Sequence, residues 1–187
     1  MLSQQIMPVV TEQEYLEMEQ ASSSKHEFVD GYIFAMVGSS RAHNKIAMNI
    51  GSSMHQHLKD TPCDVYMSDV RLKIADLNSY YYPDIMLGCS YEKDDYCLSN
   101  PCLIIEVLSP STESTDRREK LLAYQSIASL KEYCLINQSE CKIEKYTREQ
   151  EGRSWILSVY EQAENIPFVC VDFEMSMQAI YQGVLNC

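Results

Sequence analysis

Between Ala42 and Leu58 an apolar residue returns every fourth position: Ile46, Ile50, Met54 and Leu58, with Ala47 and Gly51 beside them. This spacing draws one buried stripe along a helix and predicts a long packed helix. Upstream, Thr11-Glu12-Gln13-Glu14 has the form of a capping box, in which the Thr hydroxyl and the Glu carboxylate each satisfy an otherwise unpaired helix N–H. A short helix to about Gln20 follows from it. His26-Glu27-Phe28-Val29 and Tyr32 to Val37 are β-rich runs split by Asp30-Gly31, a dipeptide suited to a tight hairpin turn.

Val65 to Ile74 alternates well enough for a strand, and Tyr80 to Leu87 reads as another, entered through Pro83 at an edge or strand start. Cys102-Leu103-Ile104-Ile105-Glu106-Val107-Leu108 is continuously apolar apart from Glu106, the pattern of a central strand covered on both faces. Ser109-Pro110-Ser111-Thr112 breaks it, Asp116 to Ala128 has helical composition, and Tyr133 to Ile136 resumes the apolar run. Together they predict a parallel, right-handed strand-helix-strand unit. Residues 141–147 and 154–160, separated by Glu149-Gln150-Glu151-Gly152, predict a second hairpin; a strand at Phe168 to Val171 and a short helix from about Met175 to Tyr181 complete the series. With no repeat, linker or low-complexity tract, the 187 residues are expected to form one α/β domain, 1–187.

A hydrophobic fraction of 45% with 22% charged residues excludes a disordered chain. Fifteen Lys and Arg against 27 Asp and Glu give a formal charge of -12. That acidity argues against a protein held to nucleic acid by a broadly basic surface. The segment Arg41 to Lys59 is an exception: it carries Arg41, Lys45, Lys59 and three of the four histidines without an Asp or Glu, and is the best face for a polyanion. The eight cysteines, at 63, 89, 97, 102, 134, 141, 170 and 187, include no CxxC pair, so structural zinc is not expected. No secretory leader is evident, and reduced thiols in a cytoplasmic protein are expected. No apolar run approaches the ~18 to 20 residues of a membrane helix.

A carboxylate in an apolar strand costs several kcal/mol unless it is paired, protonated or bound to a cation. Glu106 therefore asks for a partner, and Asp84, at the head of Ile85-Met86-Leu87, asks for the same. Two acids on neighbouring strands form the oxygen-rich site that Mg²⁺ or Mn²⁺ prefers. Glu27 is a possible third ligand. Asp116, Lys120 and Tyr124 are spaced four apart and share a helix face, from which Lys120 could reach a substrate phosphate or an attacking water. His55 and His57 are two apart and make a poor chelate, while Tyr80-Tyr81-Tyr82, Met86, Met175 and Met177 read as packing.

Pro83-Asp84, then Leu103-Ile104-Ile105-Glu106-Val107-Leu108-Ser109-Pro110-Ser111-Thr112, then Asp116, Lys120, Tyr124 and Glu132-Tyr133 resemble the Uma-type family of restriction endonucleases, in the PD-(D/E)XK nuclease superfamily. The likeness extends to Glu27-Phe28-Val29-Asp30-Gly31 and Arg41-Ala42-His43, over about 11–175. It implies a restriction-endonuclease-like α/β core, a central mixed β-sheet flanked by α-helices, with N-terminal and C-terminal β-hairpins. It also implies a Mg²⁺ site, with Mn²⁺ a substitute, for hydrolysing DNA phosphodiester bonds, and a homodimer. Asp84 and Glu106 match the metal-binding acids, Glu27 the acid near the N-terminus, and Lys120 the catalytic lysine; Arg41, His43, Lys45 and Tyr124 fall where substrate would bind. The superfamily places its lysine two positions after the second acid, where this chain has Leu108. That departure favours a rival reading, a nuclease-fold protein serving as a dimeric DNA-binding or protein-interaction module. A metal-dependent hydrolase of RNA or small phosphoesters is a third.

Overall fold

The structure is a computed structural model, and it describes residues 9–149, 154–161 and 165–187. Thr11 caps α1 (Glu12–Ala21) through the reciprocal Thr11 and Glu14 hydrogen bonds that the sequence predicts. The expected hairpin pairs β1 (His26–Val29) with β2 (Tyr32–Ala35). Its turn residues, Asp30 (φ 46°) and Gly31 (φ 93°), both adopt left-handed backbone, and a Cβ on Gly31 would stand 2.1 Å from Cγ1 of Val9, so only glycine closes this turn. Ser40 caps α2 (Arg41–Leu58), which buries the predicted stripe of Ile46, Ala47, Ile50, Gly51, Met54 and Leu58.

Two runs that read as single strands are each divided between sheets. The first turns at Ser68 (φ 48°) into β3 (Asp64–Met67) and β4 (Arg71–Ile74). The second becomes β5 (Ser79–Tyr81) and β6 (Ile85–Gly88), parted at Pro83, whose missing N–H interrupts the ladder. After the two-residue β7 (Cys97–Leu98) comes β8 (Pro101–Leu108), buried along its whole length. A helical segment follows: α3 (Glu113–Thr115), a π turn over Asp116–Lys120, and α4 (Leu121–Gln125). β9 (Glu132–Asn137) runs parallel to β8, completing the predicted strand-helix-strand unit. The second hairpin is β10 (Ile143–Arg148) with β11 (Trp155–Tyr160); Gln150, Glu151 and Gly152 of its expected turn lie outside the described residues. At the end of the chain the expected strand from Phe168 is replaced by a third hairpin, β12 (Asn165–Phe168) and β13 (Phe173–Ser176), around a 3₁₀ turn, followed by α5 (Met177–Ile180).

Among the described residues the strands form a six-stranded sheet ordered β11-β10-β9-β8-β6-β3, a five-stranded sheet ordered β2-β1-β5-β4-β7, and the β12-β13 hairpin. Both larger sheets are mixed, β8 pairing parallel with β9 and β4 with β7. One face of β8 places Leu103, Ile105 and Val107 in a core with α2, α5 and the last hairpin. The other places Ile104 and Leu108 in a core with Ala123 and Tyr124 of α4. Cover on both faces is what the continuous apolar run demanded, and Glu106 lies in the Ile104–Leu108 row, beneath the π turn.

The expectation of eight reduced thiols is corrected. Cys63 is joined to Cys89 and Cys141 to Cys187, while Cys97, Cys102, Cys134 and Cys170 are free. Antiparallel pairing of Asp64 with Gly88 places Cys63 and Cys89 side by side just beyond the β3–β6 ladder. Such proximity comes from strand pairing across 26 residues, which cysteine spacing alone does not encode.

Candidate active site

The register of β6 against β8, Ile85 opposite Ile105, brings Asp84 at the head of one strand beside Glu106 within the other. The two are locked reciprocally. The Asp84 N–H donates to Glu106 Oε2 at 3.2 Å, and the Val107 N–H donates to Asp84 Oδ2 at 2.7 Å. Each acid therefore accepts on one oxygen from backbone of the opposite segment, Glu106 from Asp84 itself and Asp84 from Val107, the residue after Glu106.

Lys120 supplies the partner that Glu106 requires. Asp116 and Lys120, the two ends of the π turn, both face inward, where they are 2% and 5% exposed. The Lys120 ammonium lies 3.0 Å from Glu27 Oε1, 3.1 Å from Glu106 Oε1 and 3.4 Å from Asp116 Oδ1. Tyr124 is wholly buried and donates its hydroxyl to Glu106 Oε1 at 2.9 Å, so its contact is with the acid, not with the surface where substrate would lie. The Tyr82 N–H reaches Glu27 Oε1 at 3.4 Å, and the Tyr133 hydroxyl donates to the Asp116 carbonyl at 3.1 Å. Asp116 is thus a fourth carboxylate of the site. Its sequence signals were its place in the family resemblance, which gave it no role, and its spacing from Lys120, which reads equally well as a surface ion pair.

Burial pushes the Glu106 carboxyl well above its ordinary value, opposed by Lys120 and reinforced by Asp84, Asp116 and Glu27. Asp116 is raised for the same first reason. Burial also works against the charge on Lys120, yet Glu106, Glu27 and Asp116 together overcome it and hold this amine well above the usual lysine value. Lys120 is consequently a firmly charged group at neutral pH.

His43, in the first turn of α2, stands with Nε2 3.0 Å from Asp84 Oδ2, and its buried Nδ1 has no hydrogen-bond partner among the described residues. The structure therefore joins His43 to the acids, while Arg41 and Lys45 on the same helix are exposed and Lys45 Nζ donates to the Gly183 carbonyl at 3.3 Å. No acidic residue occupies the first turn of α2, so its partial positive pole lies near Asp84 without an acid of its own to offset it.

Three carboxylates contact one ammonium and a fourth, Asp84, lies beside them, a set of oxygens that suits a divalent cation. Among the described residues no group of three or more His, Cys, Asp or Glu is arranged as a ready metal cage. Mg²⁺ does not need one, because it keeps several waters and takes one or two carboxylates together with substrate phosphate. Asp84 and Glu106 have the donor chemistry for that smaller demand, and Asp84 is the most accessible of the acids, its side chain 18% exposed.

The chain is similar to two curated proteins of Synechocystis sp.: the uncharacterized protein slr1290, 30% identical over 179 residues that cover 95% of this chain and 94% of that one, and sll1609, 34% identical over 154 residues that cover 80% and 86%. It also matches, with a TM-score of 0.78 and 17% identity, a crystal structure from Anabaena variabilis described as "a putative nuclease belonging to DUF820"; the match covers 94% of this chain and 99% of that one and establishes a shared fold. A family model described as "Putative restriction endonuclease" matches residues 12–179, and the chain belongs to that family, Uma2.

Proposed function

We propose that this protein is a divalent-metal-dependent endonuclease that hydrolyses DNA phosphodiester bonds. The reading rests above all on the convergence of Glu106, Glu27 and Asp116 on the Lys120 ammonium, beside Asp84. Leu108 fills the position where the superfamily pattern has its lysine and is packed in the core, but Lys120 reaches the second acid from the following helix. A lysine beside the second acid supports the reading although the sequence pattern is broken at Leu108.

Asp84 and Glu106 would hold Mg²⁺, with Mn²⁺ as a substitute; the bound ion would neutralise charge on the phosphoryl oxygen and lower the pKa of an attacking water. Lys120, held protonated, acts as a fixed cation for a phosphate oxygen and not as a base. Glu27 orients Lys120 through Oε1. Tyr124 and the Val107 N–H keep Glu106 and Asp84 in place. His43, at the positive end of α2 beside Asp84, would face a phosphate, and the exposed Arg41 and Lys45 would contact the backbone farther out.

The expected outcome is nicking or cutting of DNA by the purified chain with Mg²⁺ or Mn²⁺, abolished by EDTA and by Asp84→Asn or Glu106→Gln. Metal-dependent cutting that survives both substitutions would overturn the site. Calorimetry separates the non-catalytic rival: heat of Mg²⁺ or Mn²⁺ binding, lost in Asp84→Asn, supports the enzyme, and no binding at millimolar metal supports the module.

A further inference from the structure

A second cluster of reactive side chains lies at the opposite ends of the strands that carry the two acids. Cys63 and Cys89 are bonded just past the β3–β6 ladder. Cys102, at the start of β8, has its Sγ 3.9 Å from that of Cys89 and 3.1 Å from that of Cys170 in the 3₁₀ turn after β12. Four elements distant in sequence thus contribute an unbroken row of sulfurs in which a free thiol touches a disulfide on one side and a second thiol on the other. Cys102 is buried, while Cys63, Cys89 and Cys170 are partly exposed.

We propose that Cys63, Cys89, Cys102 and Cys170 form a thiol–disulfide exchange site that moves a crosslink from the β3–β6 edge to the junction of β8 with the C-terminal hairpin. In the first step the Cys102 thiolate attacks Cys89 Sγ, the Cys89–Cys102 bond forms and the Cys63–Cys89 bond breaks. Cys63 leaves as a thiolate and takes up the proton that Cys102 gave up. In the second step Cys170 attacks Cys102 in the same way, forming Cys102–Cys170 and releasing Cys89. One disulfide and two thiols are present before and after, so no external oxidant or reductant enters.

The local chemistry favours Cys102 as the attacking group. Its hydrogen bond with Cys170 holds it below the ordinary thiol value, assisted by the charge of Lys131, and the thiolate is the nucleophile in exchange. The hydrogen bond with Cys102, then burial, push the Cys170 thiol well up; the first of these causes ends once Cys102 is drawn into the mixed disulfide, which leaves Cys170 for the second step. Burial pushes Cys97 up to about 12 and Cys134 well above the usual range, and neither is in contact with the row of sulfurs. The proposal is independent of nuclease activity.

The test maps disulfides in the full-length protein. The chain is equilibrated in mixtures of oxidised and reduced glutathione, quenched with acid, alkylated and digested without reduction for mass spectrometry. The expected result is both Cys63–Cys89 and Cys102–Cys170 peptides, with Cys89–Cys102 as the mixed species, while Cys141–Cys187 never exchanges with them. In Cys102→Ser only Cys63–Cys89 should form and Cys170 should alkylate completely; circular dichroism confirms that the variant folds, and the wild-type map stands without it. Cys63–Cys89 alone at every poise, with Cys102 and Cys170 fully alkylated, would overturn the proposal. So would the absence of any linkage among the four.

Discussion

Glu106 was legible as an anomaly because an acid in a fully apolar strand must be compensated, and Lys120 and Tyr124 meet that demand. Which groups would do so was only partly legible, since the π turn that carries Asp116 and Lys120 inward leaves no mark in the hydrophobic pattern. Lys120→Met removes the ammonium from its three carboxylate partners, two of them buried, and is expected to cost roughly 3–5 kcal/mol, read as a lower urea midpoint. Millimolar Mg²⁺ should recover part of that loss if the acids can hold a cation. A surface acid gives the opposite kind of test. Hydrogen bonds from Lys73 and Tyr80 hold the Glu12 carboxyl below its ordinary value of 4.5. A lowered pKa contributes stability above the unfolded value that is lost as pH falls through the folded one, so the effect belongs to the window below about pH 4.5. Wild type should therefore lose more thermal stability between about pH 5 and 3.5 than Glu12→Gln does, as measured by circular dichroism.

At the scale of elements, the local sequence pattern located α1 by its capping box, α2 by its fourfold repeat, the first hairpin by Asp30-Gly31 and the central strand by its continuous apolar run. It failed where the chain changes sheets. Ser68 and Pro83 divide continuous β-rich runs, and nothing in an alternating pattern distinguishes one strand from two that join different sheets. The last hairpin was missed for a related reason: it is fastened from outside its own sequence. Glu132 on β9 pairs with Lys145 on β10 at 3.0 Å, accepts from the Cys170 N–H at 2.9 Å, and Lys145 also donates to the Pro167 carbonyl. Both charged groups are almost fully buried. Glu132→Ala leaves Lys145 uncompensated and is expected to destabilise the protein by about 3–5 kcal/mol, with hydrogen exchange rising first in β12 and β13.

For the whole molecule, a charge of -12 limits the proposed DNA-binding surface to a local patch, for which the exposed Arg41 and Lys45 of α2 are the candidates. Binding measured with Ca²⁺ in place of Mg²⁺ should weaken steeply with salt. Arg41→Ala or Lys45→Ala should each lower the slope of log K against log salt by about 1, with losses similar across DNA sequences. An unchanged slope would place the phosphate contacts elsewhere. The sequence by itself determined the helical stripe, the turn at Asp30-Gly31, the two-sided burial of β8 and the need of Glu106 for a partner, because each depends on neighbours a few residues apart or on the cost of burying charge. Only the tertiary structure decided that Asp84, His43, Glu27, Asp116 and Lys120 meet around that acid, and that cysteines 26 and 46 residues apart bond. Those contacts arise from strand register and sheet order, which no local pattern of hydrophobic and polar residues specifies.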